Sequence, residues 1–161
     1  MVTTTTIGRT RRKAVSFTVG CLLAWALILV PRAQAEPNAF EKRGIEAAAL
    51  DAFRAIVTLW REELYFELYD LGSESTRARV SKEEFAGRMV RLDWVPEGEL
   101  NPEFLKAKFR FRTMVYVAAR IRYRDKFNPE SEFLKDQTFL LLKERGEWRI
   151  DLIKLVRAPF A

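Results

Sequence analysis

The chain has 161 residues, with no histidine, one cysteine, and 28 basic residues against 22 acidic ones. A chain without histidine cannot build a Ser-His-Asp or Cys-His nucleophile pair, a histidine–cysteine zinc site or a histidine pH switch. The formal charge of +6 does not indicate nucleic-acid binding, because five basic and no acidic residues lie in the first 35 positions, which leaves 23 basic against 22 acidic residues in the rest.

The first 35 residues have the composition of an export signal. A basic segment at 9–13 precedes an apolar run at 14–30, and Ala33-Gln34-Ala35 then supplies small residues at the spacing that a signal peptidase accepts. We therefore expect cleavage between Ala35 and Glu36, a periplasmic or secreted mature protein, and no stable membrane span after cleavage. The mature part has no cysteine, which excludes disulfides there.

Three features of this segment leave alternatives open. The apolar run is at the short limit of the roughly 17–25 residues that span a bilayer, so it could also be an uncleaved anchor. Arg11-Arg12 loosely resembles a twin-arginine signal, which leaves the export route undecided. Cys21 follows Gly20 as in lipid-modified proteins, but most of the apolar run comes after it, and we expect it to be lost with the signal.

The longest predicted element is one amphipathic helix over 47–71, after a polar segment at 36–45 that we expect to be a flexible lead-in. Apolar residues recur there at steps of three and four, which places them on one face of a helix. They are Leu50, Phe53, Ile56, Val57, Trp60, Leu64, Leu68 and Leu71. Gly72 follows, where helices often end with a residue at positive φ. We expect Phe53, Trp60 and Leu64 to be core residues.

A second, short helix is predicted by a capping box. Ser81 and Glu84 have the spacing at which each side chain bonds the other residue's backbone N–H, which starts a helix from Lys82 to about Leu92. Pro96 stops this helix. Residues 95–102 contain two prolines and a glycine, and we expect them to form a loop.

From 104 to 125 the apolar residues alternate with polar ones, which is typical of half-buried strand. The apolar positions are Leu105, Phe109, Phe111, Val115, Val117, Ile121 and Tyr123. One straight strand of this length would be about 70 Å long, too long for the domain, so we expect it to fold back near 112–115.

The C-terminal residues predict a hairpin of strands 133–143 and 148–156 around Arg145-Gly146. This register pairs Leu141 with Ile150 and Phe139 with Leu152. Two helices followed by about four antiparallel strands predict an α+β fold with the helices on one side of a sheet.

The order of these elements resembles the nuclear-transport-factor-two-like superfamily, the cystatin-like α+β cone. The likeness covers most of the mature chain, and it rests on three segments: Leu50-Asp51-Ala52-Phe53 through Trp60 to Leu71, Ser81-Lys82-Glu83-Glu84-Phe85, and Gly146-Glu147-Trp148-Arg149-Ile150. The resemblance implies a single domain at 46–161, in which a curved, mostly antiparallel sheet wraps the long helix and one open end often forms a pocket. The superfamily includes isomerases, dehydratases and non-catalytic binding domains, so the fold does not choose a function.

We expect a non-catalytic domain that binds a small apolar ligand or an envelope protein, without cofactor or metal. Its candidate ligand contacts are the aromatic residues Tyr65, Tyr69, Trp94 and Tyr116.

The alternative is a cofactor-free isomerase or hydratase. Asp93 or Asp151, the acids nearest to apolar sequence, would be its general base, and Tyr116 would polarise a carbonyl. The competing interpretation is structural, since aspartates near helix and strand ends often bond the backbone or an arginine.

Basic residues alternate along the predicted strands, at Lys106, Lys108, Arg110, Arg112, Arg120, Arg122 and Arg124. A weak anionic partner, either an acidic envelope polymer or lipid head groups, could bind through Arg120, Arg122 and Arg124. We favour the alternative, a solvated outer sheet face that acidic residues neutralise. These acids would be Glu130, Glu132, Asp136 and Glu144.

Overall fold

The structure is a computed structural model that describes residues 36–160, so the predicted signal at 1–35 lies outside the described residues. Contacts divide the chain into two units, 1–34 and 35–161, and the second contains every element described below. It has an α+β fold, with a long helix and short helices packed on a curved antiparallel sheet, as the sequence predicts.

Helix α1 (Ala39–Arg61) begins earlier than the predicted position at Ala47. The side chain of Asn38 accepts a hydrogen bond of 2.8 Å from the backbone N–H of Glu41, and this N-cap starts the helix within the segment expected to be a flexible lead-in. Its buried face carries Phe53, Ile56, Val57 and Trp60, as the apolar period predicts, together with Ala49.

The prediction of one helix to Leu71 is wrong, because α1 ends at Arg61. Glu63 adopts a positive φ of 57°, its N–H bonds the carbonyl of Trp60 at 3.1 Å, and the next N–H bonds that of Leu59 at 2.9 Å. These two bonds form the Schellman motif that closes many helices. The apolar residues then continue on a separate helix, α2 (Tyr65–Asp70), and Leu64 at the junction is 40% exposed instead of buried.

Two further helices complete this side of the domain, α3 (Glu74–Arg77) and α4 (Lys82–Val90). Ser81 Oγ accepts the N–H of Glu84 at 3.1 Å, which confirms the predicted N-cap of α4. The apolar face of α4, formed by Phe85 and Met89, is buried.

The sheet contains β1 (Trp94–Glu97), β2 (Lys106–Phe111), β3 (Met114–Asp125), β4 (Glu132–Glu144) and β5 (Glu147–Ile150), all antiparallel to their neighbours. Strands β1 and β2 pair with different halves of β3 on the same edge, so five strands make a sheet four strands wide. The chain folds back between β2 and β3 at residues 112–113, as predicted.

The predicted loop at 95–102 is partly wrong, because its first residues belong to β1. Pro96 lies opposite Tyr123 in this outermost strand, where a residue without an N–H is tolerated because one side of the strand has no ladder partner. A short 3-10 helix, Pro102–Phe104, connects β1 to β2.

The C-terminal hairpin turns at Arg145-Gly146, which have φ of 52° and 92°, and it pairs Leu141 with Ile150 as predicted. The predicted pairing of Phe139 with Leu152 is wrong, because β5 ends at Ile150. Helix α5 (Leu152–Arg157) follows and buries Leu152 and Leu155 against the core.

Each edge of the sheet is bonded at one point by another part of the chain. On the β2 edge, Glu46 Oε1 of α1 accepts the backbone N–H of Phe109 at 2.8 Å. On the β5 edge, Ile150 exchanges backbone bonds with the segment after α2, donating to Leu71 at 3.1 Å and accepting from Ser73 at 2.8 Å. These contacts satisfy groups that exposed edge strands would present to other chains.

Candidate functional site

The space between α1 and the sheet, where a cone pocket is expected, is filled with side chains. The ring of Phe53 lies 5.0 Å from that of Phe139, and the ring of Trp60 lies 5.7 Å from that of Tyr123. All four residues are buried. The space between α1 and strands β3 and β4, which carry Tyr123 and Phe139, is therefore hydrophobic core.

Tyr65 is buried and belongs to a polar cluster at the junction of α1 and α2. Its hydroxyl donates to Glu63 Oε2 at 3.1 Å and accepts from Lys126 Nζ at 3.1 Å, and Lys126 also forms an ion pair of 3.1 Å with Glu63. Burial, and then the carboxylate of Glu63, raise the pKa of the Tyr65 hydroxyl. Tyr65 thus remains a neutral donor that links the helix junction to the end of β3.

The other predicted ligand contacts do not share the contacts of Tyr65: Tyr69 follows one turn later on α2, whereas Trp94 and Tyr116 lie on β1 and β3. The Tyr69 hydroxyl lies 3.0 Å from the carbonyl oxygen of Val80, and its ring packs on Phe85. Trp94 makes an edge contact with Phe133, with 4.7 Å between ring centroids. Tyr116 is 38% exposed and lies opposite Leu140 on the outer face of the sheet.

The candidate catalytic residues are not brought together either. Asp93 is exposed and precedes β1, which pairs with the C-terminal end of β3. Asp151 follows β5, near the opposite end of β3, and its carboxylate accepts the N–H groups of Ile153 at 2.9 Å and Lys154 at 3.3 Å. Asp151 is the N-cap of α5, so within the described residues its carboxylate bonds the backbone and not an arginine, which agrees with the structural interpretation of this residue.

A surface groove of about 330 Å³ separates α1 from residues 98–102. Val57 and Leu100 give it apolar walls, and Thr58 adds a hydroxyl. Arg61 closes one side, because its Nη1 donates to the carbonyl of Gly98 at 2.9 Å. No pattern in the sequence groups these residues, because the groove depends on the path of the chain after β1.

The seven alternating cations of the strands, Lys106, Lys108, Arg110, Arg112, Arg120, Arg122 and Arg124, are here called the basic stripe. Ion pairs divide this stripe into two parts. The β3 arginines, Arg120, Arg122 and Arg124, each face a carboxylate of a neighbouring strand, at 2.7 Å from Asp136, 3.6 Å from Glu132 and 2.6 Å from Glu97. Their outward position and the neutralising Asp136 and Glu132 are as expected. The hydrogen bond from Arg120 lowers the pKa of Asp136. Arg112 pairs with Glu41 of α1.

The β2 cations, Lys106, Lys108 and Arg110, are exposed and have no carboxylate partner within residues 36–160. The difference follows from strand order. Strands β4 and β1 supply acids to β3, which lies between them, whereas β2 is an outermost strand whose only strand neighbour is β3. Sequence alternation alone could not separate these two groups of cations.

Apolar side chains lie beside the β2 cations on the outer face. Tyr116 lies opposite Lys108, and the half-buried pair Met114–Leu142 continues the apolar surface toward the hairpin turn. Phe111, expected among the half-buried positions of the strand, is instead 56% exposed. A bulge between Phe109 and Phe111 shifts the strand register there, which the sequence does not signal.

A scan against protein-family models finds no match for this chain, and a search of curated proteins finds none either. The resemblance to the nuclear-transport-factor-two-like superfamily therefore stays a prediction from the order of the elements in the sequence. Within residues 36–160, no cluster of three or more acidic, histidine or cysteine residues could hold a metal ion, and no helix has the length and hydropathy of a membrane span.

Proposed function

We propose that the chain is exported, and that its mature part is a non-catalytic domain that binds an anionic partner of the cell envelope through the β2 cations. One observation carries this proposal. Among the seven cations of the basic stripe, the three on β2 lack a carboxylate partner within residues 36–160, and apolar side chains lie next to them on the exposed sheet face.

The distribution of the acids and phenols supports a non-catalytic role. A general base must lie within hydrogen-bond reach of the proton that it removes, with an electrophilic group close by. Asp93 and Asp151 lie near opposite ends of β3, Asp151 is engaged in capping α5, and Tyr116 is on the outer face. These three residues therefore do not surround a common position at which a substrate could react.

Electrostatics explain why the β2 cations favour an anionic partner more than the β3 arginines do. A paired arginine and carboxylate have little net charge, so their field is weak beyond a few ångströms. Unpaired cations on one strand add their fields, and at physiological salt the combined potential extends over about one Debye length, about 8 Å. Salt should therefore weaken binding to the β2 cations.

The test is capture of the purified protein by cell-envelope fractions at low and high salt. The first variant replaces Lys106, Lys108 and Arg110 by glutamine, and the matched control replaces the β3 arginines by glutamine. Both variants lose three positive charges from one sheet. We expect salt-sensitive capture that the first variant loses and the control keeps. Equal loss in both variants, or capture that salt does not weaken, would contradict the proposal.

A small apolar ligand is a second candidate, favoured by the groove of about 330 Å³ along α1. Its lining combines apolar surface from Val57 and Leu100 with the charged side chains Arg54, Arg61 and Glu99, which suits a small ligand with an apolar part and a polar end. Native mass spectrometry of the protein purified from an exporting host would detect such a ligand, and Leu100→Glu should release it. If no added mass is found in any preparation, this candidate has no support.

A further inference from the structure

We propose that the anionic partner is the surface of a phospholipid bilayer, into which one end of the domain inserts Phe40 and Phe111. This inference rests on the proposed function, because the β2 cations supply the electrostatic attraction. It adds the class of partner and the residues that enter the membrane interface.

The start of α1 and the β2–β3 hairpin form this end together. Glu41 of α1 forms an ion pair with Arg112 in the hairpin turn, and Lys42 Nζ lies 5.6 Å from the ring centroid of Phe109. Phe40 precedes Glu41, and Phe111 precedes Arg112. The ion pair therefore holds both phenylalanines at the same end of the domain.

Both rings are exposed to solvent, since Phe40 is 80% exposed and Phe111 is 56% exposed. Single exposed apolar residues are common on protein surfaces, but two phenylalanines at one end, beside unpaired cations, are typical of a membrane-interface contact. The guanidinium of Arg110 lies 5.4 Å from the ring centroid of Phe111, so charge and aromatic surface are presented together.

The charges at this end complement an anionic lipid surface. Arg43 is exposed on the first turns of α1, and like the β2 cations it has no carboxylate partner within the described residues. Of the nearby acids, Glu41 is neutralised by its ion pair with Arg112, whereas Glu46 accepts the N–H of Phe109 and keeps its negative charge. Each cation near an anionic membrane raises the partition coefficient about fivefold, so four cations make a substantial contribution.

The shape of this end favours a bilayer over a protein partner. Protein interfaces accept aromatic anchors in pockets, whereas a bilayer accepts side chains that protrude from helix starts and hairpin turns. Phe40 lies in the first turn of α1, and Phe111 is the last residue of β2 before the turn. An acidic protein or polymer is the outcome that would replace the bilayer in the test below.

The test measures co-sedimentation with vesicles of phosphatidylcholine alone and of phosphatidylcholine mixed with phosphatidylglycerol, at low and high salt. The protein is taken from an exporting host, and its N-terminus is determined by intact mass. The first variant combines Phe40→Ala with Phe111→Ala. The control combines Phe127→Ala with Phe160→Ala, which removes two other exposed rings. Phe127 follows the end of β3 that is distant from the hairpin.

We expect the protein to bind the anionic vesicles only. The partition coefficient should fall at least tenfold in the variant with Phe40→Ala and Phe111→Ala, and it should not change in the control. The glutamine variant of the β2 cations is measured with the same vesicles. If this variant loses binding while the variant with Phe40→Ala and Phe111→Ala keeps it, the insertion is overturned. Envelope capture without vesicle binding would overturn the bilayer as partner and leave the proposed function intact. The absence of both kinds of binding would overturn both.

Discussion

Trp60 is the residue whose replacement tests the packing of α1 most directly. It has no exposed surface, its ring lies 5.7 Å from that of Tyr123, and its indole Nε1 has no hydrogen-bond partner within residues 36–160. Trp60→Ala removes packing alone, since no side-chain hydrogen bond is lost. Large-to-small changes of buried aromatic residues cost about 3–5 kcal/mol, a large part of the stability of a small domain.

The unpartnered indole N–H leads to a second expectation at the same site. A buried donor without a partner destabilises the folded state by about 1–3 kcal/mol, and phenylalanine removes this donor while it keeps much of the ring packing. Trp60→Phe should therefore cost far less than Trp60→Ala. Arg54→Ala is the control, because Arg54 is an exposed residue of α1 and such changes stay within about 0.5 kcal/mol.

The free energy of unfolding of these variants is measured by urea denaturation, followed by far-ultraviolet circular dichroism because tryptophan fluorescence changes with the substitution. If Trp60→Ala lowers the free energy of unfolding no more than Arg54→Ala does, the assignment of the buried face of α1 is wrong. If Trp60→Phe is as costly as Trp60→Ala, the reasoning about the unpartnered N–H is refuted.

Three other predictions concern the export signal and the local structure. Intact-mass analysis of protein from an exporting host should give an N-terminus at Glu36, and a retained N-terminal methionine would contradict export by cleavage. Gly72→Ala should lower the unfolding midpoint, because its Cβ would lie 2.4 Å from Leu152 Cδ1, whereas Gly44→Ala, with nothing within 4 Å, should stabilise α1 by about 1 kcal/mol. Asp151→Ala should cost about 0.5–2 kcal/mol through loss of the α5 N-cap, while asparagine at this position should retain most of the stability; equal costs for both would exclude a capping role.

The fold class could be predicted because its signals are local. The apolar period of α1, the Ser81 N-cap of α4 and the Arg145-Gly146 turn each act within a few residues, and each is found in the structure. The break after Arg61 could not be predicted in this way. Glu63 has a positive φ without being glycine, and its carboxylate is held by Lys126, which is distant in sequence.

The candidate site was harder to predict because it depends on strand order and register. The sequence shows seven alternating cations, and the positions of β4 and β1 beside β3, and of α1 beside the hairpin turn, determine which of them meet acids. The exposure of Phe111 likewise depends on a bulge that no glycine or proline marks. The sequence predicts strand for the residues after Ile150, where the structure has helix α5. This helix depends on the N-cap at Asp151 and on packing of its apolar residues against the core, which the local sequence pattern does not show.

The contacts at the edges of the sheet have a consequence for folding kinetics. Strands β2 to β5 follow one another through short turns, so their hairpins can form early. The contact of Glu46 with Phe109 instead spans 63 positions, and that of Ser73 with Ile150 joins segments that lie still further apart in the sequence. Contacts between distant segments form late because closing long loops costs entropy. Until α1 and the segment after α2 have docked, both edges are open to strands of other chains. The domain is therefore most prone to aggregation while it folds, and substitutions that delay docking of α1 should reduce the soluble yield more than they lower the stability of the finished protein.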